Sequence, residues 1–205
     1  MSRPEQAIYI PGIRGEAAFW TPVASRVATL TPSVILRYPW ASGGGPIDEA
    51  DSVNQLADAV VARIDKPTAL VAQSLGGVVA VLAASRCTSL VTHLVLIATS
   101  GGVPIGELGV ADWHTPFFEA YPHVPRWVAE PHDLSEQLRQ LTMPALLLWG
   151  DADPISPVGI GERLLSLLPS AELEVMAGGE HDLAMRHAGT VAAVIRRHLS
   201  SALDH

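Results

Sequence analysis

Apolar residues gather in short runs along this chain, and between the runs they recur with helical spacing. Six runs read as strands: Ala7–Ile10, Val34–Arg37, Ala69–Val71, Leu94–Ile97, Ala145–Trp149 and Leu173–Met176. Each is nearly continuous and does not alternate with polar positions, the pattern of strands covered on both faces of a parallel sheet. Between them, Val53, Leu56, Ala57, Val60, Val61 and Ile64 follow a 3.6-residue period, with Asp48 near the start as a candidate cap. Leu75–Ser85, Ile160–Leu168 and Val191–Leu199 read as further helices, and Glu16–Leu30 as a weaker one. Strand–helix alternation of this kind predicts an α/β fold, a mostly parallel sheet with helices on both faces.

Residues 98–144 interrupt the rhythm. They contain no strand candidate and exceed the usual length of a crossover. Trp113, Phe117, Phe118, Tyr121 and Trp127 lie here, five of the 11 aromatics (3 Phe, 5 Trp, 3 Tyr). Pro104, Pro116, Pro122, Pro125 and Pro131 accompany them, so the stretch is expected to be irregular or built of short helices. Long aromatic insertions in α/β proteins often cover sites. Residues 99–139 are therefore expected to form a small lid, with 1–98 and 140–205 as the single core domain. The alternative is a surface excursion with a satellite core of its own. Ser42-Gly43-Gly44-Gly45-Pro46 reads as a loop, not a domain boundary.

Composition narrows the picture. A chain of 205 residues with 48% apolar and 17% charged positions can bury a full core and does not read as disordered. Its 13 Lys and Arg against 21 Asp and Glu give a formal charge of −8 without a cationic tract, which argues against nucleic acid as a partner. The single Cys87 excludes a disulfide framework and a cysteine zinc site, and reads as a small core residue. The N-terminus, MSRPEQAIYIPG, has no apolar core for a signal peptide, and the longest apolar stretch, Val78–Ala84, is far short of the ~20 residues of a membrane span. The expectation is a soluble cytoplasmic protein with no membrane span.

Candidate chemistry sits where strands end. The run Ala69-Leu70-Val71 leads into Ala72-Gln73-Ser74-Leu75-Gly76-Gly77, and a helix starts at once. A serine at such a turn presents its hydroxyl at the top of the sheet, and the turn is so tight that the positions two before and two after it must be small, as Ala72 and Gly76 are. The alternative is an ordinary N-capping serine. A serine hydroxyl is a weak nucleophile without a base. Of the eight histidines, His93 and His198 read as structural or solvated, His205 is terminal, and His114, His123 and His132 fall in the insertion. His181 follows the last strand in Ala177-Gly178-Gly179-Glu180-His181-Asp182, a loop at a strand's carboxyl end, where open α/β sheets build their sites. An acid is offered by Gly150-Asp151-Ala152-Asp153-Pro154, after the strand ending at Trp149. Asp153 precedes Pro154, which holds its backbone extended and its side chain in a fixed direction. Asp151 reads as a turn or cap residue.

With nucleophile, acid and base in the order Ser74, Asp153, His181, the chain resembles the α/β-hydrolase superfamily over nearly its whole length. The nucleophile elbow matches Ala72-Gln73-Ser74-Leu75-Gly76, the acid loop Gly150–Pro154 with Pro157, and the histidine loop Gly179–Asp182. Ile8-Tyr9-Ile10-Pro11-Gly12-Ile13 is similar to the strand that leads into the oxyanion loop, with Pro11 where many members have His and Ala72 where many have Gly at the elbow. The resemblance implies oxyanion donors at the backbone N–H groups of Leu75 and Ile13. It also implies a trimmed α/β-hydrolase sheet of about six strands, because the two strands that commonly precede the oxyanion strand have no counterpart here.

The implied activity is a serine esterase of the carboxylesterase or lipase type, needing no metal or cofactor. Gly12, Gln73, Trp113, Phe117 and Trp127, with Trp20 or Trp40, are candidate walls of a pocket for a small, apolar, ester-like substrate. The same triad would also serve carbon–carbon bond hydrolysis, thioester hydrolysis or acyl transfer, and a non-catalytic member binding a hydrophobic ligand or a protein is a further alternative. The Ser42–Gly45 run lacks the ending of a phosphate loop, no Gly-x-Gly-x-x-Gly follows a strand, and His181 and His187 are spaced too far apart to share one helix face for a metal.

Overall fold

The computed structural model describes residues 2–42, 47, 49–106 and 108–201. The glycine run at 43–46, the candidate cap Asp48 and His205 lie outside the described residues. Six strands form one parallel sheet: β1 Gln6–Ile10, β2 Ser33–Ile35, β3 Thr68–Gln73, β4 Val91–Ile97, β5 Ala145–Gly150 and β6 Ala171–Met176. Their order across the sheet is β2-β1-β3-β4-β5-β6. All six expected strands are present.

The four central strands, β1, β3, β4 and β5, are buried at every position, as continuous apolar runs require. The edges differ from the sequence expectation. β2 and β6 are the two edge strands and are only partly covered: no position of either is fully buried, and Val34 of β2 and Glu172 and Val175 of β6 are exposed. Glu174 of β6 pairs with Arg197, and Glu172 with His198.

Helices cover both faces. On one lie α2 Val53–Val61, α3 Leu75–Arg86, α5 Ser135–Gln140 and α6 Val158–Leu167, around a core that includes Ile8, Leu70, Leu94, Leu96 and Trp149. α3 is buried along most of its length, pressed between the sheet and α2 and α5. On the other face lie α1 Thr21–Val27, α7 Leu183–Arg186 and α8 Ala188–Ser201, around Tyr9, Trp20, Val71, Val95 and Ile195. The expected helix over Glu16–Leu30 is a 3-10 turn, Ala17–Phe19, followed by α1. Ser52 caps α2, its hydroxyl accepting from the Gln55 N–H at 3.3 Å. Residues 99–139 carry α4 His114–Ala120, a 3-10 turn Arg126–Ala129 and the start of α5. No helix among the described residues is long and apolar enough to cross a membrane.

Candidate active site

The β3–α3 turn forces Ser74 into φ 53° and ψ −126°, one of two described non-glycine residues with positive φ. Such a backbone costs of order 1–3 kcal/mol and persists only where its surroundings hold it. They do so here. The Ser74 N–H donates to the Ile97 carbonyl (3.1 Å), and the Ser74 carbonyl accepts from the Gly77 N–H (2.9 Å) and the Thr99 hydroxyl (2.5 Å). A Cβ at position 76 would lie 2.5 Å from the Ile10 carbonyl oxygen, so only glycine lets α3 start against β1. Although Ser74 occupies the N-cap position of α3, its side chain makes no capping hydrogen bond. The hydroxyl is thus left half-buried at the carboxyl end of the sheet.

Asp153 lies in the loop after β5 and is 4% exposed. One carboxylate oxygen, Oδ1, accepts from the N–H groups of Ile155 (2.8 Å) and Ser156 (3.0 Å). The other, Oδ2, lies 2.8 Å from His181 Nδ1. A carboxylate in that position accepts a hydrogen bond from Nδ1–H and so favours the tautomer whose Nε2 is free to accept a proton. The acid and histidine loops are packed backbone on backbone: a Cβ at position 150 would stand 2.0 Å from the Gly179 carbonyl oxygen, and the Ala152 N–H donates to that carbonyl at 3.0 Å. Asp151 takes the turn role expected of it, accepting from the Gly178 N–H at 2.6 Å.

Gln73 links the elbow to the histidine loop. It is 4% exposed, and its amide Nε2 donates to the His181 carbonyl at 3.2 Å. The elbow also meets the loop after β1, where a Cβ at position 12 would lie 2.5 Å from Gln73 Oε1 and 3.3 Å from Ser74 Cβ. Gly12 therefore lets this loop close onto the serine. Among the described residues, neither the Ile13 nor the Leu75 N–H donates to a loop, turn or cap acceptor.

Of the aromatic candidates, Trp40, Phe117, Tyr121 and Trp127 pack half-buried on the α3-side core together with Ile13. Trp127 meets Trp40 edge to face, with centroids 5.5 Å apart. Trp113 stands outside that core and stacks on His114 at 3.9 Å. Trp20 is fully buried in the opposite core, so it belongs to packing and not to a pocket wall. A cleft of about 170 Å³ opens between the loop after β1 and the insertion, lined by Arg14, Glu16, Ser42, Tyr121, His123 and Val124. A larger groove of about 480 Å³ lies within the insertion, between α4 and the 3-10 turn, and touches none of Ser74, Asp153 or His181. His93 and His198 are buried at the far side of the molecule, while His114, His123 and His187 are exposed.

No family model matches the chain. A pimeloyl-[acyl-carrier protein] methyl ester esterase from Neisseria meningitidis (serogroup A / serotype 4A) is 27% identical over 207 residues, covering 79% of this chain. The chain spans just under two thirds, 66%, of that esterase's length. Among solved structures, a bacterial membrane phospholipase A superposes with a TM-score of 0.79 at 20% identity, over 98% of this chain and 80% of that one. An α/β hydrolase from a lagoon-sediment metagenome of Mar Chica, Morocco, gives 0.75 at 18% identity, over 96% and 90%. The chain shares the fold of that α/β hydrolase.

β1, whose sequence resembles the strand that leads into an oxyanion loop, is the first strand of the described sheet. Two features of the site had no sequence signal. One is the Gln73–His181 link, which joins residues 108 positions apart. The other is a set of aromatic donors around the loop after β1: Trp20 Nε1 donates to the Ile10 carbonyl (3.0 Å), Tyr38 Oη–H to that of Pro11 (2.9 Å) and Trp40 Nε1 to that of Ile13 (2.9 Å). A hydrogen bond between such distant residues leaves no periodic trace in a sequence.

Proposed function

We propose that the protein is a serine esterase in which Ser74, His181 and Asp153 form the catalytic triad. The observation that carries this reading is the His181 Nδ1–Asp153 Oδ2 contact of 2.8 Å, onto a carboxylate whose other oxygen is already held by two backbone N–H groups. That arrangement fixes the tautomer and stabilises the imidazolium once it forms. The Ser74 Oγ attacks an ester carbonyl carbon while His181 Nε2 takes its proton. The carbonyl oxygen becomes an oxyanion, stabilised by the Leu75 and Ile13 N–H groups; one such donor is worth about 3–4 kcal/mol of barrier. Collapse breaks the ester C–O bond, and His181 returns the proton to the departing alcohol. Water then attacks the acyl-serine by the same route, giving the carboxylic acid and free Ser74.

Residues 99–139 act in this reading as a small lid. Trp127, edge to face with Trp40, and Phe117 add half-buried apolar surface to it and favour small apolar ester substrates. The name of the Neisseria relative supports an ester as the substrate class. Hydrolysis of a chain-length series of p-nitrophenyl esters and matching thioesters tests the reading. Ester turnover is expected, and Ser74→Ala or His181→Ala is expected to lower it about 10⁴–10⁶-fold. Turnover unchanged in those variants contradicts the triad, and thioesters cleaved in preference to esters contradict the substrate class.

A further inference from the structure

The loop after β1 makes a tight turn, Gly12-Ile13-Arg14-Gly15, closed by the Gly15 N–H donating to the Gly12 carbonyl at 2.8 Å. Taken peptide by peptide, four successive carbonyls have a donor. The Ile10 carbonyl accepts from Trp20, that of Pro11 from Tyr38, that of Gly12 from Gly15, and that of Ile13 from Trp40. A peptide unit is planar and trans, so anchoring its carbonyl also fixes the direction of its N–H. The unit that carries the Ile13 N–H is held by the turn and flanked on both sides by units held by aromatic side chains. Tyr38 and Trp20 are fully buried, and burial pushes the Tyr38 phenol well above its ordinary pKa, so it remains a donor throughout the working pH range. Trp40 is different: it is half-buried and rests edge to face on Trp127 of the insertion. A half-buried donor is the replaceable member of the set.

We infer that Trp40 is a positioning residue for the oxyanion hole, its indole N–H holding the Ile13 carbonyl so that the neighbouring Ile13 N–H meets the developing oxyanion. The inference rests on the serine-esterase reading above. A donor aimed in advance needs no reorganisation as charge develops, and this is where electrostatic catalysis gains most. Because the interaction matters when the oxyanion forms, its loss lowers kcat and leaves ground-state binding nearly intact.

Trp40→Phe keeps an aromatic ring against Trp127 and removes only the donor. In the full-length protein, kcat for a p-nitrophenyl ester is expected to fall about 10-fold with KM changed less than twofold. Affinity for a trifluoromethyl ketone, which forms a tetrahedral oxyanion adduct at a catalytic serine, is expected to fall by the same factor. Tyr38→Phe, which removes the donor to Pro11, is expected to shift both quantities the same way, and thermal midpoints of both variants identify any loss of folding. Wild-type kcat and inhibitor affinity retained in folded Trp40→Phe overturn this assignment alone. A rise in KM at unchanged kcat also overturns it, placing Trp40 in substrate binding. Wild-type turnover that survives Ser74→Ala overturns the esterase reading and this inference with it.

Discussion

Two histidines at opposite ends of the sheet make different uses of the same ring. His181, at the carboxyl ends of the strands, has a side chain 25% exposed and a buried carboxylate at 2.8 Å. His93, near the amino end of β4, is 0% exposed; its Nδ1 meets the Thr92 hydroxyl at 3.0 Å and its ring lies edge to face with His198, centroids 5.4 Å apart. With burial acting first and the His198 charge second, its pKa falls from 6.5 to about 4. Access and a carboxylate make one ring a candidate base. Burial beside a second imidazole keeps the other neutral. The residue type is thus no guide to the role; the loop that carries it and the group facing it are.

The sharpest way to break this contrast is to disable the carboxylate. Asp153→Asn leaves the geometry but lets the ring adopt the wrong tautomer, and kcat for ester hydrolysis is expected to drop about 10⁴-fold. Asp151→Asn, two positions away, is expected to stay within 10-fold, since Asp151 holds the Gly178 N–H and not the His181 ring. Equal losses in steady-state kinetics would contradict the separation of these two acids.

The other end of the sheet is read by stability against pH. The His93 pKa is depressed on folding, so between pH about 4 and 6.5 the unfolded chain binds more protons. Stability therefore rises with pH across that window and is lost as pH falls through it, by about 3 kcal/mol for this group. His198 is also held below its ordinary value by burial, against the opposing pull of Glu172, and adds to the slope in the same direction. Denaturant titrations at several pH values are expected to show the rise, flattened in His93→Leu with kcat unchanged.

A smaller effect tests the loop packing that brings His181 to Asp153. Gly150→Ala puts a methyl group against the Gly179 carbonyl and is expected to cost about 1–3 kcal/mol in thermal unfolding, with activity lowered as the two loops separate. A variant as stable and active as the parent would mean that this contact does not set the geometry.

The central strands and the chain order of Ser74, Asp153 and His181 were legible because both are local. An apolar run marks a strand, and each candidate lies within a few residues of where its run ends. The edges were less so: β6, with Glu172 and Glu174, reads in sequence as one more apolar run although one side lacks a neighbour. Asp48 reads in sequence as a candidate cap near the start of α2, but the cap is Ser52, because both residue types accept a helix N–H and only the register of Val53 decides. Trp20 reads as a pocket aromatic from its composition, but the face of the sheet that α1 covers put it in the opposite core. The donors to Ile10, Pro11 and Ile13 come from residues 10 and 27 positions away, and only tertiary structure brings them together.

The most direct test is to treat the folded protein with a fluorophosphonate and map the adduct by peptide mass spectrometry. The account predicts one stoichiometric adduct on Ser74, lost in His181→Ala. Labelling of another residue, or undiminished labelling of Ser74 without His181, would contradict it.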